Sequence, residues 1–159
     1  MDIKIINLSS IKMNKQIYNL LLADDDDDDC IFFKEALDEL PLSTTLETVH
    51  DGVELMYHLG NAANLPDILF LDLNMPRKNG HECLAEIKNI EEFKNLPVII
   101  FSTSLDSKIV DLLYDMGATH YIRKPGDFSK LKKVISGALT KASESSFKQP
   151  ARAQFILQY

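Results

Sequence analysis

From residue 18 to residue 139, short apolar runs alternate with stretches whose apolar residues recur at helical spacing. The runs at Tyr18–Ala23, Thr44–Val49, Ile68–Leu71, 98–101 and 119–122 are apolar or β-branched, and turn-forming or charged residues close them. Runs of that length and composition predict five strands. Between them, Cys30, Phe33, Leu37 and Leu40 predict a helix over 27–40, ended by Pro41. Val53, Leu55, Met56 and Leu59 predict a short helix over 53–59, and Leu84 with Ile87 one over 82–89. Ile109, Val110, Leu112, Leu113 and Met116 predict a helix over 107–116, with Gly117 as its C-cap. Phe128, Leu131, Val134, Ile135, Ala138 and Leu139 form the apolar stripe of a last helix. Strict alternation of strand and helix predicts an α/β fold. The expected form is a five-stranded parallel sheet, doubly wound, with strand order 2-1-3-4-5 and helices on both faces.

A chain of 159 residues is long enough for one sizeable core and short for two ordinary domains. The organisation expected is an N-terminal extension over 1–14, one domain over 15–142, and a C-terminal tail over 143–159. Met13 reads as an alternative start, leaving residues before it as an upstream addition. The tail begins polar and ends in Phe155-Ile156-Leu157-Gln158-Tyr159. It is expected to be loosely held, or else to dock residues 155–157 on a partner chain. A net charge of −7 argues against non-specific nucleic-acid binding, which needs clustered Lys and Arg. No run is long enough to span a bilayer. No signal-peptide pattern is seen, and a cytoplasmic protein is expected. Cys30 and Cys83 match no metal-ligand spacing and are expected as buried, reduced thiols on helices. The histidines, His50, His58, His81 and His120, show no ligand or triad spacing and are expected at the surface or in loops.

Chemistry gathers at the strand ends. The first strand runs into Asp24 and Asp25, the third into Asp72, the fourth into Ser102 and the fifth into Lys124-Pro125. Open α/β sheets place their ligands at this carboxyl edge. Two carboxylates about 4 Å apart repel by roughly 4 kcal/mol at an effective dielectric of 20, so Asp24, Asp25 and Asp72 together call for a cation. Magnesium suits such a place, because it takes few carboxylates and leaves room for phosphate oxygens. A carboxylate can attack phosphorus to form an aspartyl phosphate, and phosphoryl transfer asks mainly for alignment and charge neutralisation. Asp72 would be the nucleophile, with Lys124 and Ser102 contacting phosphoryl oxygens. Asp27, Asp28 and Asp29 read as the first turn of the following helix, where negative charge complements the dipole. Asp24, Asp26, Asp28 and Glu35 also fall at calcium-loop positions, but Asp29 stands where that loop needs glycine.

On these residues the chain resembles the receiver domain of two-component response regulators over roughly residues 17–140, a flavodoxin-like fold. It is similar to the single-domain type, without an output module. The resemblance implies that Asp72 accepts a phosphoryl group from the phosphohistidine of a sensor histidine kinase or phosphotransfer protein. It implies Mg2+ (or Mn2+) held by Asp25, Asp72 and the backbone carbonyl of Asn74, with Asp24 contacting it through water. It matches Ser102 and Lys124 to the family's hydroxyl and lysine, Tyr121 to its aromatic switch, and Gly80 to the glycine closing its 72–80 loop. It also implies a cis peptide at Lys124–Pro125. The protein would catalyse its own phosphorylation and slow dephosphorylation without being an enzyme in the ordinary sense. Phosphorylation would switch the surface of the fourth helix, fifth strand and fifth helix for an unidentified protein target, with a homodimer left open. Two rivals remain: a phosphatase with an aspartyl-phosphate intermediate, which would want an acid where Asn74 stands, and a receiver-like interaction module that is never phosphorylated.

Overall fold

The computed structural model describes residues 18–144, 146 and 148–158; the expectation for residues 1–14 lies outside them. The strands are β1 (Tyr18–Ala23), β2 (Thr44–Val49), β3 (Ile68–Leu71), β4 (Val98–Ser102) and β5 (His120–Arg123). They alternate with α1 (Asp27–Asp38), α2 (Gly52–Asn61), α3 (Gly80–Asn89), α4 (Ser107–Asp115) and α5 (Phe128–Glu144). All neighbours pair in parallel, in the order β2-β1-β3-β4-β5. The expected α/β architecture is therefore the observed one, with element ends within a few residues of the pattern.

The sheet divides the core into two. Leu20, Leu22, Ile68, Phe70, Ile99 and Phe101 pack on one face against α1 and α5, through residues such as Phe33 and Ile135. Leu21, Leu69, Leu71, Val98 and Ile100 pack on the other against α2, α3 and α4, through residues such as Leu55, Leu84 and Leu113. Covered on both sides, β3 and β4 are buried at every position, which is why they read as unbroken apolar runs. The edge strand β2 alternates, with Thr45 and Glu47 exposed. Among the described residues no helix is long and apolar enough to cross a membrane.

Side-chain caps begin α1 to α4. Asp26 accepts from the amides of Asp28 and Asp29, and Asp51 from Glu54. Asn79 and Glu82 form a reciprocal capping box on α3, and Asp106 accepts from Lys108 and Ile109. Gly117, at φ +98°, closes α4 as expected, since a left-handed C-terminal residue favours glycine.

Four expectations are corrected. Residues 148–158 are not loosely held, nor do they need a partner chain to dock on. Residues 148–158 fold back along β5, with Phe155 fully buried and Leu157 8 % exposed. Tyr121 N donates to Phe155 O (3.0 Å) and Leu157 N donates to Tyr121 O (2.9 Å), making a parallel bridge from Ile156 to Tyr121. The bare edge of β5 needs backbone partners, and burial of an aromatic side chain gains about 1.5–3 kcal/mol. The boundary expected at 142/143 falls inside α5, where Ala142 is buried. Likewise His120 is buried, because β5 is covered on its outer edge as well as on its faces. Finally, the Lys124–Pro125 peptide is trans. Trans is favoured by about 0.5–1 kcal/mol before proline, and here the side chain of Lys124 reaches its carboxylate partners from that backbone.

Candidate functional site

Strand register builds the site. Ala23 pairs with Leu71, so the next residues, Asp24 and Asp72, leave the sheet side by side. Asp72 N donates to Ala23 O (2.9 Å) and Asp24 N to Val49 O (3.0 Å). Ser102 pairs with Arg123, and Lys124 N donates to Ser102 O (2.8 Å). Lys124 thereby enters from the far end of the sheet and returns its ammonium toward β1 and β3.

One carboxylate oxygen each from Asp24, Asp25 and Asp72 lies within 4.8 Å of the others. Asp24 is fully buried and Asp72 5 % exposed, while Asp25 is exposed to solvent. The Lys124 ammonium sits 2.7 Å from Asp24 Oδ2, 2.8 Å from Asp29 Oδ2 and 3.6 Å from Asp72 Oδ2. Its hydrogen bond goes to Asp29; the approach to Asp24 Oδ2 is ion-paired but off-line, leaving that buried oxygen without an aligned donor. Asp24 Oδ1 accepts from Asp26 N (3.0 Å).

Burial pushes the Asp72 carboxyl up to about 6, with Asp24 adding to the rise and Lys124 and the amides of Asn74 and Leu73 opposing it. Burial raises Asp24 as well, against the pull of Lys124 and the Asp26 amide. Burial alone would lower Lys124, but its pairing with Asp24 and Asp29 outweighs that and holds it firmly protonated. Crowded carboxylates with raised pKa values, and a buried oxygen without an aligned donor, are what a hard divalent cation would relieve. Asp24, Asp25 and Asp72 therefore fit such an ion.

The loop after β3 is shaped around Asp72. A Cβ on Gly80 would come within 2.3 Å of Asp72 O and 2.8 Å of Leu73 Cα, so only glycine lets α3 start this close. Gly80 N closes the loop on Leu73 O (2.9 Å). Asn74, expected to offer its carbonyl, is exposed at the mouth. Ser102 is fully buried, and its Oγ accepts from Ser104 N (3.2 Å). Tyr121 is fully buried too; its hydroxyl donates to Ser104 O (2.5 Å) and interacts with the Ser102 side chain, so it faces the β4–α4 loop.

The residue missed by sequence pattern is Asp29. Read as dipole complement, it instead supplies the hydrogen-bond acceptor for Lys124 from a distance of 95 residues. Its place at the third position of α1, behind the Asp26 cap, turns it toward the strand ends; that placement is the only signal that could have marked it. The two thiols behave as expected: Cys30 and Cys83 are free and buried, and burial pushes each up to about 12.

Comparison with known proteins bears on this geometry. The profile of the response regulator receiver domain matches residues 20–136. The response regulator Rcp1 of Synechocystis sp. is 32% identical over 109 residues, 65% of this chain and 74% of that protein. The structure of the phosphorylated cyanobacterial phytochrome response regulator RcpA superposes with a TM-score of 0.74 at 32% identity, covering 86% of this chain and all of that one. The Mn2+-bound form of Rcp1 superposes with a TM-score of 0.70 at 29% identity, covering 77% and 92%.

Proposed function

Because the chain belongs to the response regulator receiver family of two-component signalling, we propose that it is a single-domain response regulator phosphorylated on Asp72. The donor is a phosphohistidine of a sensor histidine kinase or phosphotransfer protein. A carboxylate oxygen of Asp72 attacks phosphorus, the phosphorus–nitrogen bond breaks, and the electron pair returns to the imidazole. The observation that carries this reading is the convergence of Asp24, Asp25 and Asp72 within 4.8 Å beside the Lys124 ammonium.

Phosphoryl transfer asks for positioning and for neutralisation of oxygen charge. Lys124 supplies a fixed positive charge, and the Ser102 hydroxyl a donor to another oxygen. A divalent ion, Mg2+ or Mn2+, held by Asp24, Asp25, Asp72 and the Asn74 carbonyl would neutralise a further oxygen. The Mn2+-bound state of Rcp1 and the phosphorylated state of RcpA support both halves of this reading. Asn74 and Ser104 border the approach of a hydrolysing water and set how long the phosphoryl group lasts.

The change is read on the face made by α4, β5 and α5. When Ser102 turns to the phosphoryl group, the β4–α4 loop moves with it, and Tyr121 follows through its bond to Ser104 O. A protein target then meets a different surface. The phosphatase alternative lacks its acid, since an amide at Asn74 transfers no proton. Intact mass after treatment with a small phosphodonor and Mg2+ tests the proposal. Wild type should gain one phosphoryl group and Asp72→Asn none. Turnover of external phosphate esters would favour the phosphatase, and no gain in wild type would leave only the interaction module.

A further inference from the structure

The segment after α5 is tied to the same elements that carry the switch. Gln149 Nε2 donates to Tyr114 O (2.8 Å) and Ala118 O (2.7 Å). The Tyr114 hydroxyl donates to Pro150 O (2.8 Å), and Arg152 pairs with Asp111 at 2.7 Å. His120 Nδ1 lies 3.3 Å from Phe155 O. These ties anchor the segment on α4 and β5, and its backbone completes both free bonding groups of Tyr121.

Phe155 is the residue that matters most. Its ring meets Tyr114 edge-on at 5.1 Å and Tyr121 at 6.3 Å between centroids. The Tyr121 ring is thus enclosed. Its hydroxyl end bonds the β4–α4 loop, Phe155 packs against its ring, and no part of it meets solvent. Phe155 thus occupies one side of the Tyr121 ring while the bond to Ser104 O holds its hydroxyl end in the loop.

We propose that residues 148–158 act as an intramolecular strap in which Phe155 is a positioning residue. It holds Tyr121 turned toward Ser104, so that strap docking and phosphorylation of Asp72 favour one another. This rests on the reading of Asp72 as phospho-acceptor and Tyr121 as switch. Coupling of this kind is reciprocal: whatever factor the strap adds to phosphoryl binding, phosphoryl binding adds to strap docking. A target that needs the bare edge of β5 or the flank of α4 has to displace the strap.

The test uses the full chain with Mg2+ and beryllofluoride, a phosphoryl mimic. Hydrogen exchange is read at the Tyr121 and Leu157 amides, and mimic affinity is measured by calorimetry. In wild type the mimic should slow exchange at both amides by about ten-fold, and Phe155→Ala should weaken mimic binding by about the same factor, within the usual range of allosteric coupling. Phe155→Tyr should restore it. Arg152→Glu, which opposes Asp111 and removes the guanidinium lying 5.8 Å over the Phe155 ring without emptying the core, should weaken mimic binding in the same direction if Phe155→Ala folds poorly. Unchanged or faster exchange with mimic bound, or wild-type affinity in folded Phe155→Ala and Arg152→Glu, overturns the strap. Protection that depends on protein concentration overturns its intramolecular character. Failure of wild type to bind the mimic at all, with the Tyr121 and Leu157 amides protected, overturns the phospho-acceptor reading first and the coupling with it.

Discussion

Replacing Asp72 by Asn should stabilise the protein in the absence of divalent metal, although it removes the phospho-acceptor. The carboxyl is pushed from its ordinary 3.8 up to about 6, first by burial and then by Asp24. At 1.36 kcal/mol per pH unit, that displacement corresponds to about 3 kcal/mol of cost in the ionised folded state. As pH rises from about 4 to about 6, the unfolded chain loses this proton while the folded chain keeps it. The folded state binds more protons across that window, so stability falls as pH rises, and above about pH 6 the loss is complete. Asn cannot ionise and escapes it. In urea denaturation with chelator at about pH 7.5, Asp72→Asn should exceed wild type by about 2–3 kcal/mol, and the gap should nearly close at about pH 4. Added Mg2+ should stabilise wild type much more than the variant, because binding to the folded state alone raises stability. A variant no more stable than wild type in chelator, or one with an equal response to Mg2+, would refute the claim that burial, with Asp24 beside it, penalises the ionised Asp72 carboxyl.

Asp29→Asn should free Lys124 to close its 3.6 Å separation from Asp72 and weaken Mg2+ binding several-fold in calorimetry. Asp28→Asn, equal in charge but without contact to Lys124, should change it far less; equal effects would mean a general field and no specific contact. Gly80→Ala should cost about 1–3 kcal/mol in chemical denaturation, as overpacking does, because its Cβ would lie 2.3 Å from Asp72 O. It should also slow phosphorylation by a small donor. Cys30 and Cys83, buried and raised to about 12, should resist alkylation in the folded protein at neutral pH and react on addition of denaturant. Rapid native labelling of either would show that its helix opens readily.

The residue order alone determined a good deal of this protein. Apolar runs such as Ile68–Leu71 and stripes such as Leu131, Val134 and Ile135 mark strands and helices, because the periods of 2 and 3.6 are local properties of the backbone. Their alternation dictates the parallel sheet, and each strand's last residue then lies at one edge, which is why Asp24, Asp72, Ser102 and Lys124 were legible as a set. What tertiary structure alone decided involves partners far apart in sequence whose meeting depends on register and on which surfaces remain open. Asp29 reaches Lys124 only because α1 starts just past the end of β1, at the edge to which the Lys124 side chain returns from β5, and Tyr121 finds Ser104 only once β4 and β5 are paired. By sequence Phe155 belongs to a loosely held tail or to an anchor on a partner chain; the unpaired edge of β5 instead gives its backbone bonding partners and its ring a place in the core. Local periodicity carries no record of an edge left vacant elsewhere, so that choice belonged to the folded sheet.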